Sequence, residues 1–186
     1  MIVIVTDEEK RRFLNDDLYN ELRWLFFGAV TWAASGNHLG EKDPLAMIAS
    51  LTHARALYEF YYSGGKRPRP GDARATHFCT IHPWTPAESV LYKNYMANQK
   101  SANKRVFHLV YDRPIHSGGV ADEESSHIKN QVLNFARDLR QITGQFVQMA
   151  DCQFTLSIRG ALQKALREAA KESSRLRIHN PFDREG

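Results

Sequence analysis

The sequence predicts an all-α protein: a single-domain helical bundle of five to six helices with one long basic loop. Three observations carry this. Apolar residues recur three and four apart along most of the chain, the spacing that gathers side chains on one face of a helix. Helix starts are marked by capping residues, as in TDEE at Thr6–Glu9 and Asp43-Pro44. The stretch from Ile128 to Met149 keeps a four–three apolar rhythm without an error, a seam about three heptads long.

Taken in order, MIVIV reads as an edge strand or as a tail packed on the core. Thr6 and Glu9 form a capping box that opens a short helix to about Leu14. Asp16 or Asp17 caps the next helix, which runs to about Ser35, where Gly36 stops it. Its stripe is Leu18, Leu22, Leu25, Phe26, Ala29 and Ala33; Trp24, Phe27, Val30 and Trp32 fall partly outside it. A helix so apolar on most sides belongs inside a bundle or at a subunit interface. Asp43-Pro44 starts a helix with the stripe Leu45, Ile48, Ala49, Thr52, Ala56 and Phe60, ended by Ser63-Gly64-Gly65. The loop GGKRPRPGDARATHFCTIHPW follows, longer than a structureless connection in a compact domain ordinarily is.

Thr85-Pro86-Ala87-Glu88 combines a cap, a first-turn proline and a capping-box glutamate, and so predicts a helix start. Leu91, Tyr95, Ala102, Val106 and Leu109 stay in register, as one helix to Asp112 or as two with a break near 98–101; Pro114 ends it. Asp122 caps the seam helix, which Gly144 weakens locally. So short a seam suits a bundle better than a free coiled coil. QFTLSI alternates and reads as a short strand or a connection; GALQKALREAAKESSRLR is the last helix. The domain is expected over 1–180, with 181–186 a flexible tail.

The 186 residues, 42% hydrophobic and 25% charged, fit one soluble domain with a sizeable core. A net charge of +4 permits an anionic partner without demanding one. Cys79 and Cys152 are too few for a disulfide scaffold and read as reduced thiols, so a cytoplasmic location is expected. MIVIV has no basic segment before it, unlike a signal peptide. The longest apolar run, LRWLFFGAVTWAASG, is too short for a membrane span and bears Arg23, so no membrane association is expected. No GxxxxGK[ST], GxGxxG, GxSxG or HExxH motif occurs, which excludes the usual routes to nucleotide, dinucleotide, ester and zinc-protease chemistry.

Four groups of residues can carry chemistry. On a helix through 103–112, His108 faces Lys104 and Arg105 on one side and Tyr111 and Asp112 on the other. Asp112 can orient its imidazole, Arg105 can hold a phosphate, and His116, beyond Pro114, can fold back as a second acid or base. This equipment suits metal-independent RNA cleavage; the bland alternative is a charged helix surface with a satisfied histidine. Lys66, Arg67, Arg69 and Arg74 make the loop a candidate nucleic-acid contact. His77, Cys79 and His82 are ligand types that suit zinc, but a structural site would need Cys152 or His53 as the fourth, so no metal and no cofactor is expected. Lys164, Arg167, Lys171 and Arg175 form a basic stripe on the last helix, offset by Glu168 and Glu172.

Asn103, Lys104, His108 and Leu109 in NKRVFHL, with the all-helical layout, resemble the HEPN superfamily, small bacterial helical domains. The resemblance implies a homodimer, and for many HEPN proteins ribonuclease activity in toxin–antitoxin or phage defence. The nuclease pattern of such proteins is an Arg followed after four to six residues by a His. Here Arg105–His108 and Arg113–His116 are too close and Arg105–His116 too far. Two functions are therefore expected to compete: a non-enzymatic binding or regulatory module, with RNA or another polyanion as a partner, and a HEPN-like ribonuclease using Arg105, His108 and His116. The first is favoured, because no residue compels catalysis.

Overall fold

The computed structural model describes residues 6–38, 43–62, 73–96 and 131–183. They form five α-helices: α1 (Asp7–Phe13), α2 (Tyr19–His38), α3 (Pro44–Tyr62), α4 (Val132–Met149) and α5 (Cys152–Arg175). Among the described residues there is no strand. The all-α bundle follows from the sequence as expected, while several element boundaries do not.

The capping box at α1 forms in both directions: the Glu9 amide donates to Thr6 Oγ1 at 3.2 Å and the Thr6 amide to Glu9 Oε2 at 2.8 Å. No break follows. A π-helical turn, Leu14–Leu18, joins α1 to α2, and Leu14 and Tyr19 keep right-handed helical dihedrals, so neither Asp16 nor Asp17 caps anything. No glycine or proline interrupts this junction, and the wider turn lets both Leu14 and Leu18 reach the core. Nor does Gly36 stop α2, which continues to His38. A glycine weakens a helix by about 1 kcal/mol but ends it only where it turns left-handed.

Asp43 caps α3 as expected, its Oδ1 accepting from the Leu45 amide at 2.9 Å. The buried face is a different one from the expected stripe. Leu45 is 73% exposed, and Ile48, Ala49, Thr52 and Ala56 are half-buried. The core instead takes Met47, Ser50, Leu51, Ala54, Leu57, Tyr58 and Tyr61, together with Phe60 of the expected set. Both sets have helical spacing; the close crossing with α2 selects between them. A Cβ on Gly28 would lie 2.7 Å from the Ala46 carbonyl oxygen and 2.8 Å from the Ser50 nitrogen. Ser50 Oγ donates to the Leu25 carbonyl at 3.1 Å across the same crossing. Small residues on both helices let the backbones touch, so that side of α3 turns inward.

TPAE at 85–88 does not start a helix. Residues 84–89 are irregular, and helical backbone begins after them at 90, running into a π-helical turn, Tyr92–Met96, at the edge of the described residues, with Ser89 as its cap: Ser89 Oγ accepts from the Tyr92 amide at 3.0 Å. Tertiary contacts hold the preceding chain extended. Trp84 is buried, its Nε1 donating to the Tyr61 carbonyl at 2.7 Å, and Tyr62 Oη donates to the Ala87 carbonyl at 2.5 Å.

The seam helix behaves as expected over its described part. Val132, Phe135, Leu139, Ile142 and Phe146 are buried and Met149 half-buried, in contact with α2, α3 and α5 of the same chain. Asp122 and Ile128 lie outside the described residues. QFTLSI is the start of α5 rather than a strand. Phe154 and Ile158 continue inward through Ala161, Ala165 and Ala169, whereas Leu156 is 77% exposed. Six residues are too few to separate period 2 from period 3.6 when the apolar set falls at both.

The expected tail does not hang free through Asp183. Phe182 is buried edge-on against Phe26 with ring centres 5.0 Å apart, and Arg140 Nη1 donates to the Phe182 carbonyl at 2.7 Å. The core centres on rings from four helices and the 73–84 segment: Phe13, Phe60, Tyr61, Phe78, Trp84, Phe146 and Phe154, with neighbouring centroids 5.0 to 6.1 Å apart.

Candidate nucleic-acid interface

Arg105, His108, Asp112 and His116, and Lys66, Arg67 and Arg69 of the basic loop, lie outside the described residues. Arg74 is half-buried and extended, and its carbonyl accepts from the His77 amide at 3.0 Å to open a short 3-10 turn, Ala75–Phe78. That turn carries His77 and is followed directly by Cys79, two of the zinc-type side chains of this segment. Cys79 is buried, and burial, reinforced by Asp151, pushes its thiol up to about 11, so the protonated form dominates and ligates poorly. His77 and His82 stay at the surface. Burial, then the charges of Arg74 and Lys10, lower the His77 pKa. Among the described residues no three His, Cys, Asp or Glu side chains are placed to hold a metal ion. Phe78 and Trp84 are buried, but Ile81 is 66% exposed.

The segment is fixed from below by Asp151, between α4 and α5. Its carboxylate accepts from the Thr80 amide at 3.0 and 3.1 Å, from Thr80 Oγ1 at 2.6 Å and from the Ile81 amide at 3.1 Å. The Asp151 amide in turn donates to the Phe78 carbonyl at 2.8 Å.

A second constellation lies on the faces of α2, α3 and α5. Lys164 of α5 sits over the Tyr19 ring, its Nζ 3.9 Å from the centroid. Tyr19 Oη donates to Glu168 Oε1 at 2.7 Å, and Arg23 Nε pairs with Glu168 Oε2 at 2.7 Å. The Arg23 guanidinium in turn lies 5.2 Å from the Trp24 ring. Trp24 meets Phe27 edge-on at 5.8 Å and lies nearly parallel to His53 of α3, 19° and 6.4 Å between centroids. His53 Nδ1 is 2.7 Å from Glu21 Oε2. A continuous chain of cation–aromatic, ion-pair and ring contacts thus runs from Lys164 to Glu21.

The electrostatics of this face follow from who neutralises whom. Glu168 spends its charge on Arg23 and the Tyr19 hydroxyl; burial and then Glu168 raise the Tyr19 pKa, so the phenol stays protonated. Arg175 is held by Glu172 through two contacts, 2.8 and 2.6 Å. Lys164, Arg167 and Lys171 are exposed and make no ion pair among the described residues. The expected stripe therefore keeps three exposed cations without an ion pair among the described residues, Lys164 lying over the Tyr19 ring, on the helix that Glu168 links through Arg23 to the exposed Trp24. The stripe was legible from spacing along α5. Trp24 carried a signal too, as an aromatic off its helix's apolar face; its pairing with His53 and Glu21 arises only from the α2–α3 crossing.

Comparison with protein families, characterised proteins and solved structures finds no match.

Proposed function

We propose that the chain is a non-enzymatic binding module for nucleic acid, with the α2–α5 face as its contact surface. The observation that carries this reading is the connected network from Lys164 over the Tyr19 ring, through Glu168 and Arg23, to the exposed Trp24, on a helix whose Arg167 and Lys171 are exposed and make no ion pair among the described residues. Cations neutralise phosphates and release their counterions, which gives affinity with little sequence preference. Aromatic faces beside them add contact to bases. The basic loop, with Lys66, Arg67, Arg69 and Arg74, adds charge of the same sign. A homodimer, as the HEPN resemblance implies, would present two such faces.

Binding of a labelled oligonucleotide, followed by fluorescence polarisation against salt, tests the reading. Three phosphate contacts on a single strand predict a log–log salt slope of about −2. Reversing the charges, Lys164→Glu with Arg167→Glu and Lys171→Glu, should abolish binding while circular dichroism stays helical. Unchanged affinity removes the proposal. The ribonuclease alternative would draw on Arg105, His108, Asp112 and His116. Cleavage by the wild type that is lost in His108→Ala would replace the binding reading with that one.

A further inference from the structure

We infer that this face takes nucleic acid as a single strand, with an unpaired base stacked on Trp24 beside His53. The inference rests on the proposed binding function and specifies the form of the ligand.

Trp24 differs from the other tryptophans. It is 40% exposed, whereas Trp32 and Trp84 are 8% and 6% exposed. It is also held in place: Arg23 lies against the ring at 5.2 Å, Phe27 meets it edge-on, and His53 lies nearly parallel beside it. A ring already fixed loses little rotamer freedom when a base lands on it.

His53 is oriented as well. A carboxylate only accepts, so the 2.7 Å contact to Glu21 Oε2 places the proton on His53 Nδ1. Nε2 makes no hydrogen bond among the described residues and is the ring nitrogen left to meet a base edge. Stacking surface and edge-reading group are therefore adjacent.

A duplex cannot use this arrangement. Its bases are stacked on one another, and a side chain on a convex helical surface meets only phosphates and groove edges. A single strand offers its base faces while its phosphates track cations. Charge placement fits that division. The strand's phosphates lie along Lys164, Arg167 and Lys171 of α5, whereas Glu21 sits under the Trp24–His53 end, where a base and not a phosphate is accommodated.

The test uses the full chain and its own fluorescence, since Trp24 is the exposed tryptophan. The probes are oligouridylate, oligothymidylate, a blunt duplex of equal length and inorganic polyphosphate. Quenching of tryptophan emission by either single strand, with none by duplex or polyphosphate, is the expected result; the two single-strand arms separate RNA from DNA. Trp24→Ala should weaken single-strand binding about fivefold or more, since stacking of one base contributes about 1–3 kcal/mol. Trp24→Tyr should restore most of it, and neither change should move duplex or polyphosphate binding beyond about twofold, given that only the stacking contact is lost. Equal binding of all probes without quenching overturns the inference and leaves the proposed function standing. Absence of binding by every probe overturns both. Trp24 emission that shifts with protein concentration but not with oligonucleotide overturns the inference in favour of a second copy of the chain covering this face.

Discussion

Asp151 shows how one side chain can trade a local role for a longer-range one. It occupies the position before α5 where an aspartate ordinarily caps the helix, yet its side chain makes no capping bond. It accepts instead from Thr80 and Ile81, some seventy positions earlier. Burial pushes its pKa up, but the donors from the Thr80 hydroxyl and from the Ile81 and Thr80 amides outweigh it, and the net shift is downward. A carboxyl held below its unfolded value stabilises the fold above that unfolded value, near 4. The contribution is lost as pH falls through the lower folded value. Asp151→Asn should therefore destabilise the protein at neutral pH by about 1–3 kcal/mol, the range for a buried acceptor network deprived of its charge. It should also flatten the acid limb of the stability curve. Urea unfolding at several pH values checks both; equal midpoints for variant and wild type at pH 7 would refute the lock.

At the scale of the helix, two glycines make opposite predictions from the same residue type. Gly28 sits where α2 and α3 cross, and a methyl group there would meet backbone atoms of Ala46 and Ser50 that cannot rotate away. Gly28→Ala should cost about 1–3 kcal/mol as an overpacking change. Gly144 lies within α4 with nothing within 4 Å of an added Cβ. Gly144→Ala should gain about 0.5–1 kcal/mol through helix propensity alone. Thermal melts of the two single variants, moving in opposite directions, check the pair. The same contrast explains what could be read at this scale. α4 has polar residues opposite its seam, so spacing fixed both the helix and its buried side. α3 is apolar on most sides, so spacing revealed the helix but left its inward face to the small-residue crossing with α2. The helix start at Thr85 failed for a related reason: its local signals were sound, but Trp84 and Tyr62 tie the neighbouring backbone to α3.

Over the whole molecule, the periodic pattern determines that helices form and pack, and contacts between distant segments determine how the segment after α5 docks and where a surface becomes a site. The Trp24–His53–Glu21 group needs two helices at a particular angle, so no single window of sequence contains it. The C-terminal segment behaves the same way. HNPFDREG has the composition of a loose tail, yet Phe182 fills a place against Phe26 of α2, and Arg137 and Arg140 of α4 bind the carbonyls of Pro181 and Phe182. Those contacts join α2, α4 and the chain end into one unit, so the segment acts on the stability of the whole bundle. Phe182→Ala should lower global stability by about 3–5 kcal/mol, the range for removing a buried phenyl ring, with the unfolding transition still single and cooperative. A frayed tail would instead give a variant whose denaturation midpoint matches the wild type. Chemical denaturation followed by circular dichroism and by fluorescence of the buried tryptophans distinguishes the two, because a docked segment shifts both signals together.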